Sequence, residues 1–245
     1  MSAPDFVYVA LAVAAGSLIK SVTGLGLPLI AVPVLAIPLG VETAVVVMAL
    51  PSVLSNAWLV TDSWSARGDS RHVGVMLVLG ALAVPLGALV LEELNETSLA
   101  LVLASLVTLY VVVLLVHPDF RLSERVTKPT APLVAVVSGA LHGATGISGP
   151  LIGTYFHAFR LPRDAYLFST TTLFALFSLV QAISIAVLGL YTWSTLVASA
   201  LALVPVVVVF PIGIRLSRRM ASRTFETVVL VVLVAAVAVL VVRAI

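Results

Sequence analysis

The stretch Thr145-Gly146-Ile147-Ser148-Gly149-Pro150, "TGISGP", admits two readings that lead to different proteins. Its Gly-x-Ser-Gly core is the serine signature of an intramembrane protease. The same residues suit a hinge between two short helices, with glycine backbone turned toward a ligand. What surrounds the stretch decides between them.

The surroundings are apolar. Of 245 residues, 61% are hydrophobic and 10% are charged, and the mean hydropathy is +1.22. A soluble domain carries about a quarter charged residues. Apolar runs long enough to cross a bilayer recur along the whole chain, which makes it an all-α polytopic membrane protein with the lipid bilayer as its solvent. The net charge of +2 is no nucleic-acid footprint, because the arginines sit in short loops. The chain has no cysteine, so disulfides and thiolate metal sites are excluded. Phe6–Ile19 lacks a preceding basic stretch and is not expected to be a cleaved signal.

Ten apolar runs stand out: Phe6–Ile19, Leu25–Leu39, Ala44–Val60, Val73–Leu91, Leu99–Val116, Ala131–Leu141, Ile147–Phe159, Leu167–Leu190, Leu196–Ile214 and Phe225–Val242. Six are long enough to span. The other four form two pairs whose helices would reach only about 16–23 Å, against a hydrocarbon core of about 30 Å. Each pair reads as a hairpin of half-helices, "TGISGP" being the tip of the second. Irregular backbone at such a tip must be buried in protein or line a wet cavity.

The first tip repeats the second. At an offset of 122 residues, Thr23-Gly24-Leu25-Gly26-Leu27-Pro28-Leu29-Ile30 lies over Thr145-Gly146-Ile147-Ser148-Gly149-Pro150-Leu151-Ile152. With a four-residue slip, Pro85-Leu86-Gly87 falls on Pro211-Ile212-Gly213. The chain reads as a duplication, residues 1–116 and 131–245, joined by a linker at 117–130.

Charge orients the halves. Lysine and arginine collect at Arg67/Arg71, Arg121/Arg125/Lys128, Arg160/Arg163 and Arg215/Arg218/Arg219/Arg223, whereas "PLGVE", "EELNET" and "YTWS" have none. Short cytoplasmic loops collect positive charge. Equivalent loops of the two halves then fall on opposite sides, so the repeats have inverted topology. Each half is expected to contain one hairpin of short broken helices and three transmembrane helices. The linker is expected in the cytoplasm and both termini outside.

Inverted repeats with interrupted helices at matching positions mark a transporter. Entering from opposite faces, the tips would meet near the midplane, where glycine N–H groups and the hydroxyls of Thr23, Thr145 and Ser148 are donors. Pro28 and Pro150 suit the first turn of the second half-helix, whose N-terminus carries partial positive charge. Lys20 and His142 occupy the same repeat position, three residues before the shared threonine. A cationizable residue there in both halves points to a small anionic substrate, with a proton or another ion as the coupling species.

Plainer roles compete with each assignment. Glycine and proline are common in membrane helices, and small residues often serve close packing. A histidine in a helix is often only hydrogen-bonded, and a lysine can snorkel. Asn56, Thr170, Thr171, Thr172 and Gln181 lie in apolar spans and suit interhelical glue. Asn56 and the threonines also suit a substrate path, whereas an intramembrane ammonium is costly and tends to be functional.

The protease reading fails on its base. Beyond Ser148 the sole histidine is His157, nine residues on in the same short helix, about 13 Å along its axis. His142, on the other arm, could reach Ser148, but no other protease feature accompanies it. The duplication replaces Ser148 with Gly26 while keeping Thr-Gly and Pro. What is preserved is the hinge, not the nucleophile. No HExxH site, Walker loop or acidic dyad appears, so neither enzyme chemistry nor a cofactor or metal site is expected.

The motif Gly-x-x-x-x-x-x-Thr-Gly-x-x-x-Pro-Leu-Ile, from Gly16 to Ile30 and again from Gly139 to Ile152 with one residue fewer before the threonine, resembles the sulfite exporter TauE/SafE family of membrane transporters. The resemblance covers essentially the whole chain. It implies movement of sulfite, sulfonates or related organosulfur anions across the bacterial inner membrane, coupled to an ion gradient. Carried over by position, it implies that Thr23, Gly24 and Gly26, with Thr145, Gly146, Ser148 and Gly149, contact substrate. The roles of Lys20 and His142 rest on the charge argument instead.

Overall fold

The computed structural model of the protein describes residues 3–25, 27–70, 72–116, 124–157, 159 and 161–217. Among them every regular element is a helix. In chain order these are α1 (Ala3–Thr23), α2 (Leu27–Leu39), α3 (Val41–Asp62), α4 (Val73–Glu93), α5 (Glu96–Val116), α6 (Glu124–Thr145), α7 (Gly149–His157), α8 (Arg163–Val187) and α9 (Trp193–Ser217), with a 3₁₀ turn at Trp64–Asp69. Among the described residues, five stretches are long and apolar enough to cross a membrane: Pro4–Ser21, Val41–Asp62, Val73–Glu93, Arg163–Val187 and Trp193–Leu216. The second arms of the two hairpins, α2 and α7, have 13 and 9 residues. They reach only about 20 and 14 Å, short of the core thickness.

The first arms differ from the expected half-helices. α1 has 21 residues and α6 has 22. Hydropathy underestimates both because the helix continues through polar residues, Lys20 and Ser21 in α1 and residues 124–130 in α6. A polar side chain ends an apolar run without breaking the i→i−4 ladder. The second half of the expected linker is therefore helix. Its residues 117–123, Gly26 and the apolar run Phe225–Val242 lie outside the described residues.

Equivalent helices find equivalent neighbours. α1 packs along α9, and α6 along α4. The α4–α6 seam is closed by glycines: a Cβ on Gly87 would meet the Ala140 carbonyl, one on Gly139 the Gly80 carbonyl, and one on Gly143 the Val84 carbonyl. At the α1–α9 seam Gly213 faces Ser21, the repeat counterpart of Gly143. Small residues let backbones approach where lipid supplies no hydrophobic drive for association. Leu82 and Leu86 on α4, with Val204 and Val208 on α9, stay exposed on the outer faces, where lipid tails are their solvent.

α3 and α8 run antiparallel. Val46 and Ala49 pack with Ala182 and Ile185, Asn56 bonds Ser178, and Trp64 beyond α3 meets Phe168 near the start of α8. At one end of the molecule, Glu96 accepts a hydrogen bond from the Val41 N–H at 2.5 Å. It caps α3 in place of Gly40, which has no side chain to do so.

Candidate functional site

Both tips use the same local device. α1 is followed by Gly24 at φ 75° and α6 by Gly146 at φ 71°. Glycine enters this left-handed region without a Cβ penalty, so the helix can stop and turn. The Gly24 N–H donates to the Lys20 carbonyl and the Gly146 N–H to the His142 carbonyl, both at 2.7 Å. These bonds close the helix ends, and they correct one expectation. The N–H groups of Gly24 and Gly146 serve the chain's own carbonyls and do not face a ligand. The donors left at the second tip are the first N–H groups of α7, which have no intrahelical acceptor.

Between the tips lies a cavity of about 20 Å³, room for about one water. Lys20, Asn56, His142 and Ser148 supply its polar wall; Gly24, Gly146, Gly149, Pro28, Leu29, Ile147 and Phe174 complete it. Lys20 and His142 are each 2% exposed. The Lys20 ammonium donates to Asn56 Oδ1 at 2.5 Å, and Asn56 Nδ2 donates to Ser178 Oγ at 3.1 Å. Ser178 Oγ lies 3.2 Å from His142 Nε2, while His142 Nδ1 lies 2.9 Å from Ser148 Oγ. Phe174 stacks on the His142 ring at 6.4 Å between centroids, and Phe177 meets it edge-on. The ring is fixed by two hydroxyls and two aromatics.

The Ser148–His142 contact is the pairing that a serine hydrolase would need. It lacks the third member. The far nitrogen of His142 meets a serine hydroxyl, and the chain of bonds ends on an ammonium rather than a carboxylate. A catalytic histidine is held and its charged form stabilised by a carboxylate, and none bonds His142 among the described residues.

A family model matches residues 8–240, both tips included. The chain belongs to the sulfite exporter TauE/SafE family. No curated protein and no solved structure gives a significant match.

Of the residues singled out in this TauE/SafE chain, the fold brings Lys20, Gly24, Asn56, His142, Gly146, Ser148 and Gly149 to one cavity. Thr145 is buried beside it but turned inward, donating to the Leu141 carbonyl and accepting from the Ile147 N–H. Thr170 and Thr171 are not brought to the cavity. Their hydroxyls bond back to the Tyr166 and Leu167 carbonyls of their own helix, which satisfies a hydroxyl in apolar surroundings without a partner helix. Gly26 and the Thr23 side chain lie outside the described residues.

Two polar residues that bond the cavity wall were not singled out for it. Ser178 joins Asn56 to His142. Gln181 Nε2 donates to the His142 carbonyl at 2.7 Å, which also accepts from the Gly146 N–H, and to the Gly143 carbonyl at 3.1 Å, which the helix end leaves open. Both carried a readable signal. Ser178 is Asn56 shifted by the repeat offset of 122, and Phe174, Ser178 and Gln181 share a face at i, i+4, i+7.

Proposed function

We propose that this TauE/SafE protein is a secondary transporter, not an enzyme, moving sulfite or an organosulfonate through a site between its two hairpin tips. The observation that carries this reading is Lys20. It is a buried lysine on the cavity wall, and among the described residues no carboxylate pairs with it. A buried charge needs a partner, and an anion supplies one. Substrate enters when the tips part toward one face and leaves when they part toward the other. The antiparallel pairing of α3 and α8 supports two inverted halves, residues 1–116 and 131–245, that rock about the site.

The bilayer is the bacterial inner membrane, with the linker in the cytoplasm and both termini outside. Cysteines placed singly at Asn95 and Ser123 test that orientation in a chain that has no other cysteine. An impermeant thiol reagent added outside labels Asn95→Cys and spares Ser123→Cys. Labelling of both from one side removes the inverted arrangement.

Flux decides the function. Proteoliposomes containing the purified protein are expected to move sulfite or methanesulfonate faster than empty vesicles. Ser148→Ala retains substantial flux at saturating substrate, since the equivalent position in the first tip is a glycine, and loses only the affinity that one hydroxyl donor supplies. Absence of flux for every sulfur oxyanion tried, together with labelling of Ser148 by a fluorophosphonate, would restore the protease reading.

A further inference from the structure

Four hydrogen bonds run from Lys20 to Ser148, and donor chemistry assigns their direction. A lysine ammonium donates and does not accept. Asn56 must therefore turn Oδ1 toward it, which points Nδ2 at Ser178. An amide nitrogen donates only, so Ser178 Oγ accepts, and its own O–H is directed at its remaining neighbour, His142 Nε2. An Nε2 that accepts belongs to the neutral ring with its hydrogen on Nδ1, and that hydrogen is donated to Ser148 Oγ. Ser148 Oγ has no other hydrogen-bond partner among the described residues and lines the cavity. Its O–H is left for whatever occupies the cavity. The opposite polarity at His142 would strand the Ser178 O–H, buried and with no acceptor, which native structures avoid.

The chain is also symmetric about its middle. Lys20 and Asn56 are 36 residues apart, as are His142 and Ser178. Asn56 and Ser178 are 122 apart, the offset of the repeat. Each half contributes one cationizable residue and one short polar side chain, and the bond between the two short ones joins the halves.

We propose that Asn56 and Ser178 are positioning residues that link Lys20 to His142 in one directional relay, which presents the Ser148 hydroxyl as a donor to an acceptor-rich oxyanion. The ligand part of this proposal rests on the transport reading of the cavity; the polarity of the relay does not. Around the His142 ring, α8 contributes Phe174, Phe177 and Ser178, and the second tip contributes Ser148. Among the described residues, Lys20 is the one other titratable group on the cavity wall.

The tautomer is measurable without substrate. Full-length protein labelled with ¹⁵N-histidine is placed in lipid bilayers, and the His142 signals are those lost in His142→Gln. Wild type is expected to show a protonated Nδ1 and a bare Nε2. Ser178→Ala loses that single tautomer, whereas Ser178→Thr, which keeps a hydroxyl, retains it. Methanesulfonate binding is measured on the same preparations. Ser178→Ala binds about tenfold more weakly than wild type and Ser178→Thr within about threefold, as for loss and retention of one buried hydrogen bond. An Nε2–H tautomer in wild type overturns the relay, whatever the flux. Unchanged methanesulfonate binding by a folded Ser178→Ala overturns it as well. Should Ser178→Ala fail to fold, the wild-type tautomer decides. The expected tautomer in a protein that moves no sulfur oxyanion supports the relay's polarity and removes the transport reading instead.

Discussion

Lys20→Gln lowers the affinity for sulfite about a hundredfold, equivalent to about 2.7 kcal/mol. Two charges about 4 Å apart attract by about 4 kcal/mol at an effective dielectric constant of about 20. Part of that is offset by stripping water from the anion. Glutamine is one bond shorter and neutral, so the charge and the charge-assisted bond to Asn56 Oδ1 both disappear. The variant should fold at least as well as wild type, because replacing a buried ion by a neutral group removes its desolvation cost. Lys20→Arg keeps the charge but forces a wider, planar head into a wall already crowded by Asn56, and retains only part of the affinity. His142→Gln can still accept from Ser178 and donate to Ser148, so it weakens binding far less than Lys20→Gln does. Calorimetry with sulfite over about pH 5.5–8, run beside proteoliposome flux, measures all three. Wild-type affinity in Lys20→Gln at every pH would show that the anion relies on hydroxyls and helix N–H groups instead.

Gly87→Val and Gly139→Val each destabilise the protein by about 3 kcal/mol or more, the upper range for overpacking a close seam. The clash in each case is with a backbone carbonyl of the facing helix, Ala140 for Gly87 and Gly80 for Gly139. A carbonyl held in a helical ladder cannot rotate aside as the end of a side chain can. The helices must separate, and in lipid their association depends on that closeness. Gly68→Ala and Gly74→Ala are the controls, since nothing lies within 4 Å of a Cβ at either position. Thermal unfolding in detergent, followed by loss of the monodisperse peak, is expected to separate the valine pair from the alanine pair clearly. Valine variants as stable as the alanine ones would mean that the α4–α6 seam is looser than the glycine contacts require.

Much of the fold was legible because it is written in composition and order. Apolar runs marked four of the five candidate spans, and the shared Thr-Gly and Pro marked both tips before their geometry was known. The same reading made the first arms too short. Hydropathy measures side chains, whereas a helix is held by backbone bonds that pass through Lys20 or residues 124–130 unchanged. At the tips it placed the hinge correctly but aimed two donors wrongly. The φ of Gly24 and Gly146 sends their N–H groups back to the Lys20 and His142 carbonyls.

By itself, then, the sequence determined that this chain is a helical membrane protein with a lysine and a histidine three residues before the threonines of two glycine hinges. Those are properties of residue type and spacing. Which hydroxyls meet those two residues was decided only by tertiary structure. Thr170, Thr171 and Ser178 are all hydroxyl residues of α8; the offset of 122 marks Ser178 as the counterpart of Asn56 but does not say which residues it meets. Thr170 and Thr171 close on their own carbonyls. Ser178 lies where α8 crosses α3, and there Asn56 and His142 arrive from elements far away in the chain. A buried hydroxyl takes the partner within reach, and reach between helices is a matter of how they pack.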